Sequence, residues 1–554
     1  RDFCLSRGLG DVYKRQHVLI LVNGRKVTGD ITGNIDLNQI DMTRVKRIEV
    51  LNGAASSLYG SDAIGGVINI ITNEPKDVVA FSSNSSYTRK NQFSQGLNLD
   101  IAQGKIGSYT SYKYDHSDGW QNSRLTEDGE DIIETIAPLS LGYSSNNFSQ
   151  KFTYDATEQL SFYANGGYYN RGLERPVERE DITGGSKYNT AYEGYNWGAG
   201  VKYKLSKRNV IQFDYSGNNY ASRYKYLIEN SGYLPGQYAL TKLQKFHDAE
   251  LKGIFGFTTN STTVFGVDYR REVLRRPDSD LDKSVYTASA YGQHEVKLWN
   301  HLTGVVGVRY DHHEQTGGRF TPKVAAMYNI GNFNVRATYA AGFRAPGIDE
   351  LYYHMFKKTM GTRATISLGD ENLDPERSNY YSINMEYRTN RFSASVTGYL
   401  NYVKNMVTSK STKFDDLPEA EQNQLREEFP EIGDLSSTKN LSVKNYFNFE
   451  KATVKGFEVN LNGNLFPGFT LAGNYTYAYG RGLNEGGEWQ NIERSIRHTA
   501  TITGNYTHSW SDYTLNLNLN GRLQSKVYYP GDADGNAPGY GIWNFNTRHT
   551  FDGF

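Results

Sequence analysis

The sequence predicts an all-β protein: a transmembrane barrel of about 20 antiparallel strands out of an expected 22 or so, preceded by a small α+β unit. Three observations predict it. Period-two alternation recurs through the body of the chain. The 554 residues hold 43 Tyr, 26 Phe and 56 Gly but only 13 Pro. No window approaches about 18 consecutive apolar residues, which excludes transmembrane helices. With hydrophobic content at 38%, alternate residues of each strand face lipid while their neighbours line a polar lumen. A soluble sandwich or propeller would show fewer outward aromatics and would need both strand faces buried.

The amino-terminal unit spans residues 17–76. Ile48, Val50 and Leu51 form one strand and Val67, Ile68, Ile70 and Ile71 another, while Gly53, Gly60, Gly65 and Gly66 stand where the backbone turns or lies close to a neighbour. Ala54 to Tyr59 between them suffices for about one and a half helical turns. Asp36, Asp41, Arg44, Lys46, Arg47 and Glu49 either pair with charges of a surrounding lumen or simply face water.

The barrel unit spans residues 77–554. Tyr195, Trp197, Ala199, Val201, Tyr203 and Leu205 make an outward set against Asn196, Gly198, Gly200, Lys202 and Lys204. After a short turn the pattern resumes as Ile211, Phe213 and Tyr215 against Gln212, Asp214 and Ser216, which is a hairpin. Leu515, Leu517 and Leu519 repeat it near the end. Tight turns are expected near residues 207, 260, 299, 331, 390, 467 and 510, and long polar loops at 170–192, 347–376 and 406–440. Short turns on one side and long loops on the other suit a bacterial outer-membrane barrel.

Sixty acidic residues balance sixty basic ones without a basic stripe, so nucleic acid is not a partner. Cys4 is the one cysteine, in keeping with a chain that is free of thiols beyond its first residues. No Ser, His and acid grouping stands out, so the sequence does not read as an enzyme. His312 and His313 are neighbours on a strand and point to opposite sides, which prevents joint chelation. Residues 415–434, acidic around Leu417, Leu425 and Phe429, read as a short loop helix. Asp532 and Asp534 sit in an Asp-Ala-Asp-Gly-Asn run that has part of a calcium-loop pattern but also reads as a plain turn.

Residues 44–72, from Arg-Val-Lys-Arg-Ile-Glu-Val-Leu-Asn-Gly to Ile-Gly-Gly-Val-Ile-Asn-Ile-Ile-Thr, resemble the closing half of the plug domain of TonB-dependent outer-membrane receptors. Arg47, Glu49, Gly53, Tyr59, Gly60, Gly65, Gly66 and Asn69 fall on its signature; Asn52 and Ala54 depart from its usual basic residue and proline. Gly307-Val-Arg-Tyr-Asp311, Phe320-Thr-Pro-Lys323, Arg336 to Pro346, Leu373-Asp-Pro-Glu376 and Val454 to Leu461 resemble successive landmarks of the family's barrel, in order. Residues 1–16 have no counterpart in the pattern and read as a non-native scar, and Phe554 falls within a strand-turn-strand. On this reading the chain is truncated at both ends and lacks the signal peptide, the TonB box, the first half of the plug and the closing strands.

The resemblance implies an outer-membrane receptor of a Gram-negative bacterium, monomeric and set in outer-membrane lipid. It would bind an iron complex, haem or ferric siderophore, at the cell surface and import it with proton-motive force delivered by TonB with ExbB and ExbD. Cobalamin is the alternative cargo, and a passive porin or surface-binding barrel the alternative class, although a porin has no plug. A surface lipoprotein is a further partner in some such systems, whose receptors are longer than this chain. No cofactor is required. The segment from Phe343-Arg-Ala-Pro346 to Asp374-Pro375 resembles the haem-receptor arrangement in which a histidine between two boxes is an axial iron ligand. His354 would be that ligand, with Tyr352, Tyr353, Met355 and Phe356 flanking the porphyrin and Arg344 nearby; the bland reading is an ordinary loop histidine. Calcium at Asp532 and Asp534 would be a structural ion of an outer loop and would favour cobalamin.

Overall fold

The computed structural model describes residues 18–31, 34–89, 91–119, 125–127, 130–133, 141–175, 186–230, 232–299, 301–358, 364–483, 487–492, 494–528 and 537–551. The segment 1–16 and the pair Asp532 and Asp534 lie outside the described residues.

The plug sheet grows from alternation in Val18-Leu-Ile-Leu-Val22. Leu19 and Leu21 point to one side and pack with Ala55, Ala63 and Val67, whereas Ile20 points to the other and packs with Ile40 and Ile70. Asn23 and Gly24, both at positive φ, make the two-residue turn that brings Arg25 opposite Val22. Val18–Val22 then pairs in parallel with Gly66–Thr72, which pairs antiparallel with Val45–Asn52. The sheet order is therefore Arg25–Lys26, Val18–Val22, Gly66–Thr72, Val45–Asn52, with the last strand at the edge. The helix is one turn, Ser56–Tyr59, shorter than expected because Ala55 is a non-helical N-cap.

Among the described residues, twenty strands of nine residues or more run from Ala80–Thr88 to Tyr540–Phe551, antiparallel neighbour to neighbour, and the order closes into a barrel. Paired registers run unbroken between those two strands, which are themselves exposed along almost their whole length. Closure satisfies backbone hydrogen bonds within the wall, which is what lets strands cross a hydrocarbon layer. Among the described residues no helix is long and apolar enough to cross a membrane. Every expected tight turn is present, and the outward set Tyr195, Tyr203, Leu205, Ile211 and Phe213 is exposed while Gly198, Gly200 and Asp214 are buried.

The loops differ from expectation in extent. Strands continue to Glu174 and resume at Tyr188, and Phe392–Lys413 runs past residue 406, because alternation persists above the membrane zone. The loop after Arg344 is itself structured: a helix Ile348–Tyr352, then a hairpin of His354–Lys358 with Ala364–Leu368, the latter parallel to the start of Leu441–Phe466. The helix expected in 415–434 is Glu419–Glu428. Its Leu425, with Phe414, Phe429 and Ile432, packs on Ile366, Leu441 and Val443 to form a separate core above the barrel.

Gly66 has φ +149°, and a Cβ there would meet the Leu51 carbonyl oxygen at 2.5 Å. Gly66→Ala is therefore expected to lower plug stability by about 1–3 kcal/mol, read as a shift of the plug transition in calorimetry. Gly24→Ala, at φ +81° in open space, should cost less; equal losses at the two sites would refute the steric account.

Candidate functional site

The tight Asn23-Gly24 turn drives two cations into one wall of the bore. Arg25 lies 2.6 Å from Asp248, 3.1 Å from Glu250 and 3.1 Å from Asp214. Lys26 lies 2.6 Å from Asp62, within the plug, and 3.4 Å from Glu272 of the wall. Burial would lower both side chains' proton affinities, yet the facing carboxylates outweigh it and hold each above its ordinary value. For Asp62, burial pushes the carboxyl up, but Lys26 and then Arg344 pull it down from an ordinary 3.8 to about 2. Beneath them Arg309 bridges Asp268 at 2.7 Å and Asp311 at 2.8 Å, and donates to the plug carbonyl of Leu58 at 3.4 Å. A buried ion that loses one partner of such a set costs about 3–5 kcal/mol.

A second set of contacts ties the plug apex to the root of the structured loop. Ser56 Oγ accepts from the Phe343 amide at 3.2 Å, Ser61 Oγ from the Ala345 amide at 3.1 Å, and the Asp62 amide donates to the Phe343 carbonyl at 3.3 Å. Between those amides Arg344 is buried against Glu350 at 2.5 Å and Glu376 at 2.8 Å, one acid from each end of the loop. On the far side Asp36 accepts from the hydroxyls of Tyr169 and Tyr220 at 2.8 and 2.9 Å, and Asp41 accepts from Ser111.

Of the six plug charges singled out in the sequence, Asp36 and Asp41 thus bond the wall directly. Arg44 is held near Asp41. Arg47 and Glu49 pair with each other at 2.7 Å on the exposed edge strand, Asn69 donates to Glu49 at 3.2 Å, and Lys46 is exposed. Gly53 donates its amide to the Gly65 carbonyl at 3.2 Å and lies so close to Tyr380 that a Cβ would meet the ring at 2.3 Å. Gly60 faces the Arg309 guanidinium, and Tyr59 packs beside the Leu19 cluster. Sequence reasoning missed Arg25, Lys26, Asp62 and their wall partners. Their signal was charge at alternate positions of single strands: Asp248 with Glu250, Asp268 with Arg270 and Glu272, Arg309 with Asp311.

Above the plug the residues expected around an iron centre are dispersed. The His354 ring stacks on Phe429 at 4.5 Å, with Nε2 2.6 Å from the Glu428 carboxylate. Tyr353 accepts Arg276 on its hydroxyl at 2.7 Å, Lys283 lies 4.9 Å above the Tyr352 ring, Met355 is buried, and Phe356 packs on the outer core. Arg344 belongs to the loop root. Across the bore stands an aromatic wall: Tyr188 stacks on Tyr224 at 3.7 Å, Tyr226 on Tyr233 at 4.8 Å, and Tyr192 leans on Tyr220 at 5.9 Å. Arg175 rises beside it with a buried Nε lacking a hydrogen-bond partner among the described residues, and Arg171 lies 3.9 Å from Asp36 and 4.7 Å over the Tyr143 ring. Lys357, from the facing hairpin, lies within electrostatic reach of Tyr188.

A wide barrel corked by a small sheet, ion-paired to its wall and tied to an outer loop, is the architecture of a plugged outer-membrane barrel. The chain belongs to the TonB-dependent receptor family: the family model "TonB dependent receptor-like, beta-barrel" matches residues 126–553, and "TonB-dependent Receptor Plug Domain" matches residues 2–67. The family is one of transport receptors, and the protein resides in the outer membrane of a Gram-negative bacterium. The vitamin B12 transporter BtuB of Vibrio cholerae is 25% identical over 71% of this chain, which spans 60% of that relative's length. The ferric enterobactin receptor PirA of Pseudomonas aeruginosa is 24% identical over 98% of this chain and 79% of its own. Among solved structures, the ferric enterobactin receptor PfeA of Pseudomonas aeruginosa superposes with a TM-score of 0.74 at 16% identity, covering 98% of this chain and 83% of its own.

Because the folded Asp62 carboxyl is depressed, its contribution exists above the unfolded value near 3.8 and is lost as pH falls through about 2. Asp62→Asn should therefore cost about 2 kcal/mol of plug stability at pH 7, and the gap from the parent protein should close between about pH 4 and pH 2. Calorimetry across that range checks it; a gap independent of pH would refute the ion-pair assignment.

Proposed function

We propose that this chain is the receptor of an active importer that captures a ferric siderophore at the outer face and passes it to the periplasm with energy delivered by TonB, ExbB and ExbD. The observation that carries the reading is the plug itself. A bore filled and ion-clamped by Arg25 and Lys26 does not leak like a porin, so passage needs work done on the plug, and a membrane holding no gradient of its own needs that energy from elsewhere. The cargo class is supported by the outer wall. Stacked tyrosines beside Arg175 suit a flat, anionic, aromatic chelate, since guanidinium groups pair with oxyanions and rings pack on rings. His354 already spends Nε2 on Glu428 and a ring face on Phe429, which suits a clasp between two outer loops better than an axial ligand to haem iron.

Cobalamin is the second reading, favoured by the similarity to vitamin B12 transporters.

Quenching of tryptophan fluorescence on titration with ferric enterobactin, vitamin B12 and haem distinguishes the cargoes. Ferric enterobactin is expected to bind, and Arg175→Ala to weaken it about tenfold, or roughly 1.4 kcal/mol. A Soret shift with haem that His354→Ala abolishes, or binding of vitamin B12 alone, would overturn the siderophore reading.

A further inference from the structure

Three cations stand abreast on the outward face of the barrel wall. The strands Glu376–Arg388, Phe392–Lys413 and Leu441–Phe466 are neighbours, and their registers set Arg377 opposite Lys404 and Lys404 opposite Lys451. The adjoining residues Ser378, Val403 and Ala452 are buried, the last two in the cluster that holds Ala54 and Ile64 of the plug. Alternation therefore turns Arg377, Lys404 and Lys451 away from the bore, and all three are exposed. Like charges directly opposite one another on neighbouring strands repel. Among the described residues no carboxylate pairs with any of the three, and Asp374, three positions before Arg377, accepts from Asn405 at 3.3 Å.

The row lies at the height where lipid headgroups begin. Above the short turn at 389–391 the outward residues are Phe392, Ala394, Val396, Gly398, Leu400 and Tyr402. That ladder rises about 25 Å at ordinary strand rise and tilt, the height of the apolar band of such a barrel. Lys404 is the next outward residue. Just below the cations Tyr381 and Tyr402 are each 46% exposed and Phe457 41%, an aromatic belt of the kind that marks the boundary between hydrocarbon and headgroups. The same strands continue upward to the structured outer loops, so the boundary is that of the outer leaflet. On the next strand Arg481 stands opposite Thr453, one row below Lys451, with a buried Nε that lacks a hydrogen-bond partner among the described residues.

We propose that Arg377, Lys404 and Lys451 form a binding site for the phosphate groups of a phosphorylated glycolipid of the outer leaflet, whose acyl chains lie along Leu400, Val396 and Leu461. A multivalent oxyanion set between three cations converts their mutual repulsion into charge-assisted hydrogen bonds. Guanidinium and ammonium groups both suit phosphate oxygens, and basic residues at a membrane surface are drawn to anionic headgroups. The apolar ladder directly beneath the row gives hydrocarbon chains a surface that a free anion in solution would not use. The site depends on barrel strands alone and is independent of the cargo.

Native mass spectrometry of the full chain in detergent tests the site, with diphosphorylated lipid A, its dephosphorylated form and inorganic phosphate as probes. The parent protein should hold the phosphorylated lipid about tenfold more tightly than the dephosphorylated one. Arg377→Gln, Lys404→Gln and Lys451→Gln together should erase that preference, and Lys404→Gln alone should cut it about threefold. The same loss of charge at the short turns, by Lys105→Gln, Lys207→Gln and Arg391→Gln, should leave it within about twofold. Heat-modifiable migration verifies the fold of each variant, and the comparison of the two lipids on the parent protein needs no variant. No preference in the parent, a preference that survives loss of the row, or one that the turn variants also abolish overturns the site. Displacement of the lipid by millimolar inorganic phosphate assigns the row to a free anion and overturns the lipid as its occupant.

Discussion

Two buried cations, Arg25 and Lys26, hold the rest of the architecture in place. A plug inside a wet bore cannot rely on a continuous greasy interface, because the lumen face of a large barrel is polar by the same alternation that makes its outer face apolar. Carboxylates at alternate positions of neighbouring strands supply the complement, and the short Asn23-Gly24 turn places both cations among them. A lone buried charge would be prohibitive; three acids around Arg25 and two around Lys26 make burial tolerable and make departure costly. The interaction thus acts less as glue than as a register mark, since only one rotation and depth of the plug satisfies every partner.

The loop root extends that logic outward. Arg344 neutralises Glu350 and Glu376 from the two ends of one loop, and the amides flanking it bond Ser56 and Ser61 of the plug apex. Outer loop and plug therefore share a single polar junction. Ser61, which the loop root bonds, is one residue from Asp62, the partner of Lys26. That proximity joins the loop root to the ion clamp through adjacent plug residues.

Much of this was legible in the chain itself. Strand period is local, so the outward set from Tyr195 to Phe213 and the seven tight turns followed from alternation and the polar breaks between strands, with Pro467-Gly468 the one Pro-Gly pair among them. The plug signature was legible because glycines at Gly53 and Gly66 answer steric demands that no other residue meets. The ion clamp was not: Arg25 and Asp248 stand 223 positions apart, and their meeting depends on barrel shear and plug depth, which no local pattern encodes. The surroundings of His354 were hidden for the same reason, its partners Glu428 and Phe429 lying on a different loop. A sequence shows which side chains seek partners; only the closed wall decides which ones they find.

The uneven distribution of the described ion pairs also bears on how firmly each flank of the plug is held. If charged clamps ringed the plug, any opening would have to break ion pairs on all sides, and the cost would add up around the circumference. Here the ion pairs of Arg25, Lys26 and the Arg309 bridge lie on strands Asn209–Tyr226 to Leu302–His313, with Glu74 to Lys151 at 2.8 Å and Asp36 to Arg171 at 3.9 Å on Gly142–Asp155 and Leu160–Glu174, whereas the contacts around Asn52 are hydrogen bonds such as Asn52 to Glu458 and apolar packing such as Ala54 and Ile64 with Ala340 and Val454. Apolar contacts are non-directional and re-form in shifted positions, whereas a cation shared among several fixed carboxylates does not. The described ion pairs therefore weight the plug's attachment toward the flank that carries Arg25 and Lys26.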